Sequence, residues 1–234
     1  MSSRQEEKER RKAEREAAEA AAARSASRKG RLQLALGGLV ALAAIVIAVL
    51  VFSGGKGDGS GGAKGLEAKG GIPAAKETDL KTAASAAKCT LKSFPSEGRE
   101  HTTDPAKWKY KTNPPTSGTH NPVAAADGLY EAGNTPVVGE HVHSLEHGRI
   151  DIQYRPGTPK ATIDKLETLG SEKLAFGTDA YHVLVFENNT KMKPAVAATA
   201  WTQSLTCPTM NDSVYDAIRD FRAEYTDKGP ELIP

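Results

Sequence analysis

A strong charge of either sign is missing from this chain. Lysine and arginine number 31 and aspartate and glutamate 29, a net of +2. The surplus is local: residues 1–31 hold 10 Lys+Arg against 6 Glu, a net of +4, and residues 32–52 hold no charge. The remaining 21 Lys+Arg and 23 Asp+Glu net −2, so the body is close to neutral. Such a body offers no footprint for nucleic acid, and no nucleic-acid partner is expected. A nucleophile motif is missing too, because Ser117-Gly118 lacks the strand–elbow–helix setting that an activated serine needs. The glycines of 54–71 lack a G-K-[ST] ending and a flanking strand, so they cradle no phosphate.

Cysteine is scarce, with Cys89 and Cys207 alone. Long apolar runs are scarcer still. Only Leu32 to Phe52 qualifies, 21 residues with Gln33 the single strongly polar one. At about 1.5 Å per residue it spans a bilayer core of roughly 30 Å. The run and the head before it are too long for a cleaved signal peptide, and no A-x-A site follows. Arg24, Arg28, Lys29 and Arg31 crowd its N-terminal edge, so the positive-inside rule keeps the head cytoplasmic and exports the rest. Four segments follow: a charged cytoplasmic tail over 1–31, a transmembrane helix over 32–52, a Gly-rich linker over 53–71 and an extracytoplasmic domain over 72–234. In an oxidising compartment the two cysteines are expected to pair. The membrane, through Leu32 to Phe52, is the one partner this reading supplies.

Within the domain, Thr78 to Lys88 reads as a short helix capped by Thr78. Residues 90–148 show little regular pattern and carry six prolines, a length that is rare unless the loop is functional or held down. After Gly148 the punctuation is clear. Arg149 to Tyr154 alternates as a half-buried strand. Thr158 and Pro159 open a helix that Gly170 ends. Tyr181 to Phe186 and Ala195 to Trp201 read as strands, and Asp212 to Tyr225 as an amphipathic helix with Val214, Ile218, Phe221 and Tyr225 on one face. The predicted fold class is α/β: a single small β-α-β-β-α sandwich behind a long, ordered, Pro-rich loop.

That loop carries four of the six histidines, His120, His141, His143 and His147. His141 and His143, two apart, share one face if the segment is a strand. A turn at Ser144 to Gly148 then folds His147 back, and His120 arrives from the Asn-Pro-Pro loop. Imidazoles so gathered suit zinc or copper. Glu146 is either an acceptor orienting one ring or a base acting on a bound water. The bland alternative is a hydrogen-bonded scaffold in which these side chains satisfy a long irregular backbone. His101, in a polar loop, and His182, on a strand, carry no special expectation.

Several phrases together are similar to a bacterial family catalogued as domain of unknown function 3105. They are Asn113-Pro114-Pro115-Thr116-Ser117-Gly118 followed by His120, Gly128 with Tyr130, Leu145-Glu146-His147-Gly148, Tyr154, and Ala200-Trp201 before Cys207. Thr119 and Thr202 depart from the usual Pro and Gly of that family without touching a candidate ligand. The resemblance implies an N-terminal anchor, an exported domain and a shared residue set, but no reaction. Three functions stay open: a metal- or ligand-binding module, a structural or interaction domain of the cell envelope that meets another envelope protein or a small ligand, and a metal-dependent hydrolase with Glu146 as base.

Overall fold

The computed structural model describes residues 63–173 and 181–231. The expected membrane span at 32–52 lies outside them. Among the described residues no helix is long and apolar enough to cross a membrane. The elements run α1 (Leu80–Ala86), β1 (Thr90–Ser93), β2 (Gly128–Leu129), α2 (Val138–Glu146), β3 (Ile150–Tyr154), α3 (Lys160–Ser171), β4 (Val183–Glu187), β5 (Val196–Ala200), β6 (Gln203–Cys207) and α4 (Asp212–Tyr225). The strands form one six-stranded mixed sheet in the order β1-β6-β5-β3-β4-β2. β3 pairs with β4 in parallel and with β5 antiparallel, and β5–β6 and β6–β1 continue antiparallel.

Strand register sorts side chains into two layers, because neighbours along a strand point to opposite faces. Ile152, Val185, Ala198 and Leu205 form one row. They are buried with Ala83 of α1, Leu166 and Leu169 of α3, and Val214, Ile218 and Phe221 of α4. The next row holds Asp151, Leu184, Thr199 and Ser204. Its polar members mark the face that carries α2 and the loop. The structure is thus mixed α/β, with the predicted β-α-β-β-α order after Gly148 extended by β6 and preceded by α1, β1, β2 and α2. β3 is buried on both faces, not half-buried, because α2 covers the side expected to meet water. β1 and β6 were not anticipated as strands; their four and five residues have too little apolar alternation to announce themselves.

Local signals set most element ends. Asn211 caps α4 by accepting from Ser213 N at 3.0 Å, and the helix covers the span expected. Asp79, not Thr78, caps α1, accepting from Thr82 N at 2.8 Å. Thr158 donates to Arg155 O instead of capping α3, which Pro159 precedes and which continues through Gly170 to Ser171. Arg222 of α4, fully buried, donates to the carbonyls of Leu169 and Glu172 and so satisfies the free end of α3. Burial pushes its guanidinium down to about 10.

Cys89 and Cys207 lie one step beyond the β1–β6 ladder, opposite each other, with sulfurs 1.98 Å apart, a disulfide distance. Their bond closes a loop spanning 118 positions, worth about 4–5 kcal/mol in the chain-entropy account. Residues 64–71, part of the expected linker, lie along the domain. Lys64 bridges to Leu129 at the sheet edge, and the amides of Lys69 and Gly70 donate to Thr168 Oγ1.

One half-buried acid gives the fold a pH signature. Burial, with Asp216, Glu77 and Asp79 close by, pushes Asp220 up to about 6, and its Oδ2 is buried without a hydrogen-bond partner. Folded chains therefore hold a proton that unfolded chains release near pH ~3.9. That contribution is complete below about pH 4 and is lost as pH rises through about 6. We expect Asp220→Asn to raise stability at pH 7 by about 1 kcal/mol after solvent screening, and to change nothing below pH ~4. Urea midpoints at the two pH values check this; equal effects at both would refute the assignment.

Candidate metal centre

The segment from Val138 to Glu146 is a helix, where the sequence suggests irregular loop, with a strand considered at His141 and His143 and a turn at Ser144 to Gly148. Val138, Val142 and Leu145, spaced four and three apart, pack together with Tyr110 and Trp201. That helical period was present in the sequence and outweighs the local His-x-His alternation. The consequence for the histidines is direct. Two positions apart on a helix means nearly opposite sides, so His141 and His143 separate. His143, Glu146 and His147, three and four apart, share the side toward the loop.

His141 turns to the sheet. Its Nδ1 donates to Asp151 Oδ2 at 2.8 Å, with both side chains wholly buried. Its Nε2 and Asp151 Oδ1 are buried without hydrogen-bond partners. Burial pushes the Asp151 carboxyl above its ordinary range, and His141 opposes that rise. His141 is therefore not part of the cluster; it is half of a buried pair holding α2 to β3.

Its place is taken by His101, which the sequence did not single out. An isolated parallel bridge pairs His101 with His120. His120 N donates to Glu100 O at 3.0 Å and Thr102 N to His120 O at 2.8 Å, so the two rings stand side by side. No local pattern announces a bridge between two irregular segments. The motif Asn113 to Gly118 serves to hold His120. Asn113 Nδ2 donates to Thr190 O at 2.8 Å and its Oδ1 accepts from Thr190 Oγ1 at 2.7 Å, clasping the loop to the turn after β4. The Asn113–Pro114 peptide is cis, and Pro114 and Pro115 are buried. Thr116 O accepts from Thr202 N at 2.9 Å, and Ser117 Oγ from Glu97 N at 3.0 Å. Gly118 has φ +124, which a side chain would rarely tolerate, and an added Cβ would sit 3.0 Å from the Tyr110 ring. Its carbonyl accepts from His120 Nδ1 at 2.7 Å.

Ligand atoms of His101, His120, His143 and Glu146 all lie within 4.8 Å of one another. Glu146 Oε2 is 3.0 Å from His120 Nε2 and 3.3 Å from His101 Nε2. An ion with bonds of about 2.0–2.1 Å in tetrahedral array spaces its ligands by about 3.4 Å. The group could hold a metal ion. His101 stacks on His143 with centroids 4.8 Å apart, and His120 meets both edge-on.

Two backbone carbonyls decide which nitrogens face the centre. A carbonyl only accepts, so the 2.7 Å contact to Gly118 O places a proton on His120 Nδ1. The 2.6 Å contact to Asn121 O does the same for His143 Nδ1. Each neutral ring then keeps an Nε2 lone pair, the arrangement by which outer partners fix ligating histidines: that of His120 meets Glu146 at 3.0 Å, and that of His143 lies 2.9 Å from His147 Nε2 at the edge of the group. Burial also pushes His143 below its ordinary range.

His147, expected among the ligands, stands beside the group and outside it. Its Nε2 lies 2.9 Å from His143 Nε2, and Glu231 Oε2 is 3.7 Å away. Burial, then the neighbouring His143, lowers its pKa. Gly148 ends α2 with φ +83, and its carbonyl accepts from Asp227 N at 2.9 Å. Glu146 is a member of the donor group rather than an outer partner. His182 is paired with Asp227 at 2.6 Å, away from the centre.

His141→Ala leaves Asp151 buried alone, and a loss of about 3–5 kcal/mol is expected in urea unfolding. A variant as stable as the parent would show that the pair does not anchor α2.

The family model described as Protein of unknown function (DUF3105) matches residues 101–233. No curated protein and no solved structure matches the chain.

Proposed function

This chain belongs to the DUF3105 family, and we propose that its domain is a metal-binding module tethered to the outer face of a membrane by residues 32–52. The convergence of the His101, His120, His143 and Glu146 donor atoms within 4.8 Å of one another carries the metal reading, and one contact inside it calls for a positive charge. His120 Nδ1 spends its proton on Gly118 O, yet its Nε2 lies 3.0 Å from the Glu146 carboxylate. Two lone pairs do not rest that close, so a positive charge belongs between them. A divalent ion held by His101, His120, His143 and Glu146 supplies it. Three imidazoles and one carboxylate suit zinc or copper.

A second proton on His120 supplies the charge equally well, and then the cluster is an ion-paired scaffold of the envelope. That is the second reading. A hydrolase with Glu146 as base is disfavoured, because Glu146 Oε2 stands among the donor atoms and not beside them.

Elemental analysis of the purified full-length chain separates these readings. About one zinc or copper per chain is expected, lost in His120→Ala and in His143→Ala and kept in His141→Ala. A folded, metal-free chain, or one whose metal survives both losses, leaves the scaffold.

Export rests on the apolar run with its basic edge and on the Cys89–Cys207 pair, since such bonds persist in oxidising compartments. Alkylation of whole cells, with and without prior reduction, is expected to label both cysteines only after reduction. Labelling without reductant would place the domain in a reducing compartment.

A further inference from the structure

Resting on the metal reading, we infer that the loaded centre expands to take a small oxyanion, a carboxylate or a phosphate, as a fifth ligand on its solvent side, beside the Arg99 guanidinium. The centre has a sealed wall and an open one. Side chains of His120 and Glu146 are 0% and 3% exposed, whereas those of His101 and Arg99 are 42% and 58% exposed. Arg99 and His101 alternate along one extended segment, held by Gly118 N donating to Gly98 O and His120 N to Glu100 O. Residues two apart on such a segment point the same way. Both in fact reach Glu146 from the solvent side, Arg99 Nε standing 3.9 Å from Oε1 and His101 Nε2 3.3 Å from Oε2.

Charge then favours an anion. A divalent ion and Arg99 bring three positive charges against the single negative charge of Glu146, since neutral imidazoles contribute none. Glu231 adds a carboxylate that reaches His147 and not Arg99, and of the carboxylates flanking Arg99, Glu97 accepts from Lys111 N and Glu100 folds back over Gly98. Among the metal, its ligands and Arg99 the excess is positive, and it lies at the exposed edge. A guanidinium presents paired N–H donors that match two oxygens of a carboxylate or phosphate. At 3.9 Å from Glu146, Arg99 makes only a loose ion pair that leaves those donors for an incoming group.

The test loads the full-length chain with cobalt(II), removes free metal, and follows the visible absorption band during titration with inorganic phosphate, and in parallel with acetate. Expected are one cobalt per chain and a saturable shift of the band with at least one anion. Arg99→Gln should bind as much cobalt but need about tenfold more of that anion, the loss of one charge-assisted hydrogen bond. Stoichiometric cobalt with a band that neither anion moves would overturn this inference alone, as would equal anion affinity in Arg99→Gln. Failure to bind cobalt at all would overturn the metal reading and this inference with it.

Discussion

Two carbonyl oxygens, of Gly118 and Asn121, govern the chemistry available to this domain. By accepting the Nδ1 protons of His120 and His143 they leave both Nε2 lone pairs for the cluster, whose donor atoms all lie within 4.8 Å of one another. The Glu146 carboxylate is one of those donors. Such a convergence of electron-rich atoms in a buried setting is unfavourable without a cation, whether a proton or a metal. Much of the rest of the architecture keeps those carbonyls where they are. The clasp of Asn113 to Thr190 and the backbone bonds of Thr116, Ser117 and Gly118 immobilise one of them. The other belongs to Asn121, whose amide is tied to Gly139 O of α2.

Helix α2 is the meeting point of two different polar sites. Its sheet-facing side carries His141, spent on Asp151 in a dry pair. Its loop-facing side carries His143 and Glu146, which join His101 and His120. Between them Val142 and Leu145 bury apolar surface against Trp201. The buried pair is costly to break, so it resists rotation of the helix about its axis, and that resistance keeps His143 and Glu146 on the loop side. The C-terminal segment adds a second restraint, with Asp227 N donating to Gly148 O and Glu231 N to Glu146 O.

Several features were legible in the residues. The α4 span, the strands at 150–154, 183–187 and 196–200, the cysteine pair and the gathering of His120, His143 and Glu146 all followed from pattern and chemistry. Two failures are instructive. The alternation His141-Val142-His143 suggested a strand, yet a nine-residue helix formed there because Val138, Val142 and Leu145 had an apolar surface to meet. That misreading placed His141 in the cluster. The omission of His101 has a different origin. Its membership depends on a bridge to His120, 19 positions away through irregular backbone, which no periodicity encodes. β1 was missed for the same reason, since its partner β6 lies far off in sequence, whereas β6, in a tight hairpin with β5, was missed because its apolar alternation is weak.

The central claim is that three imidazole Nε2 atoms share one cation. Nitrogen-15 spectra of histidine-labelled full-length chain, recorded before and after one equivalent of zinc, test it at the atoms concerned. The account predicts that the Nε2 signals of His101, His120 and His143 move to metal-bound positions together, while those of His141 and His182 stay where they were. Signals of the three that do not move, or movement centred on His141, would contradict it.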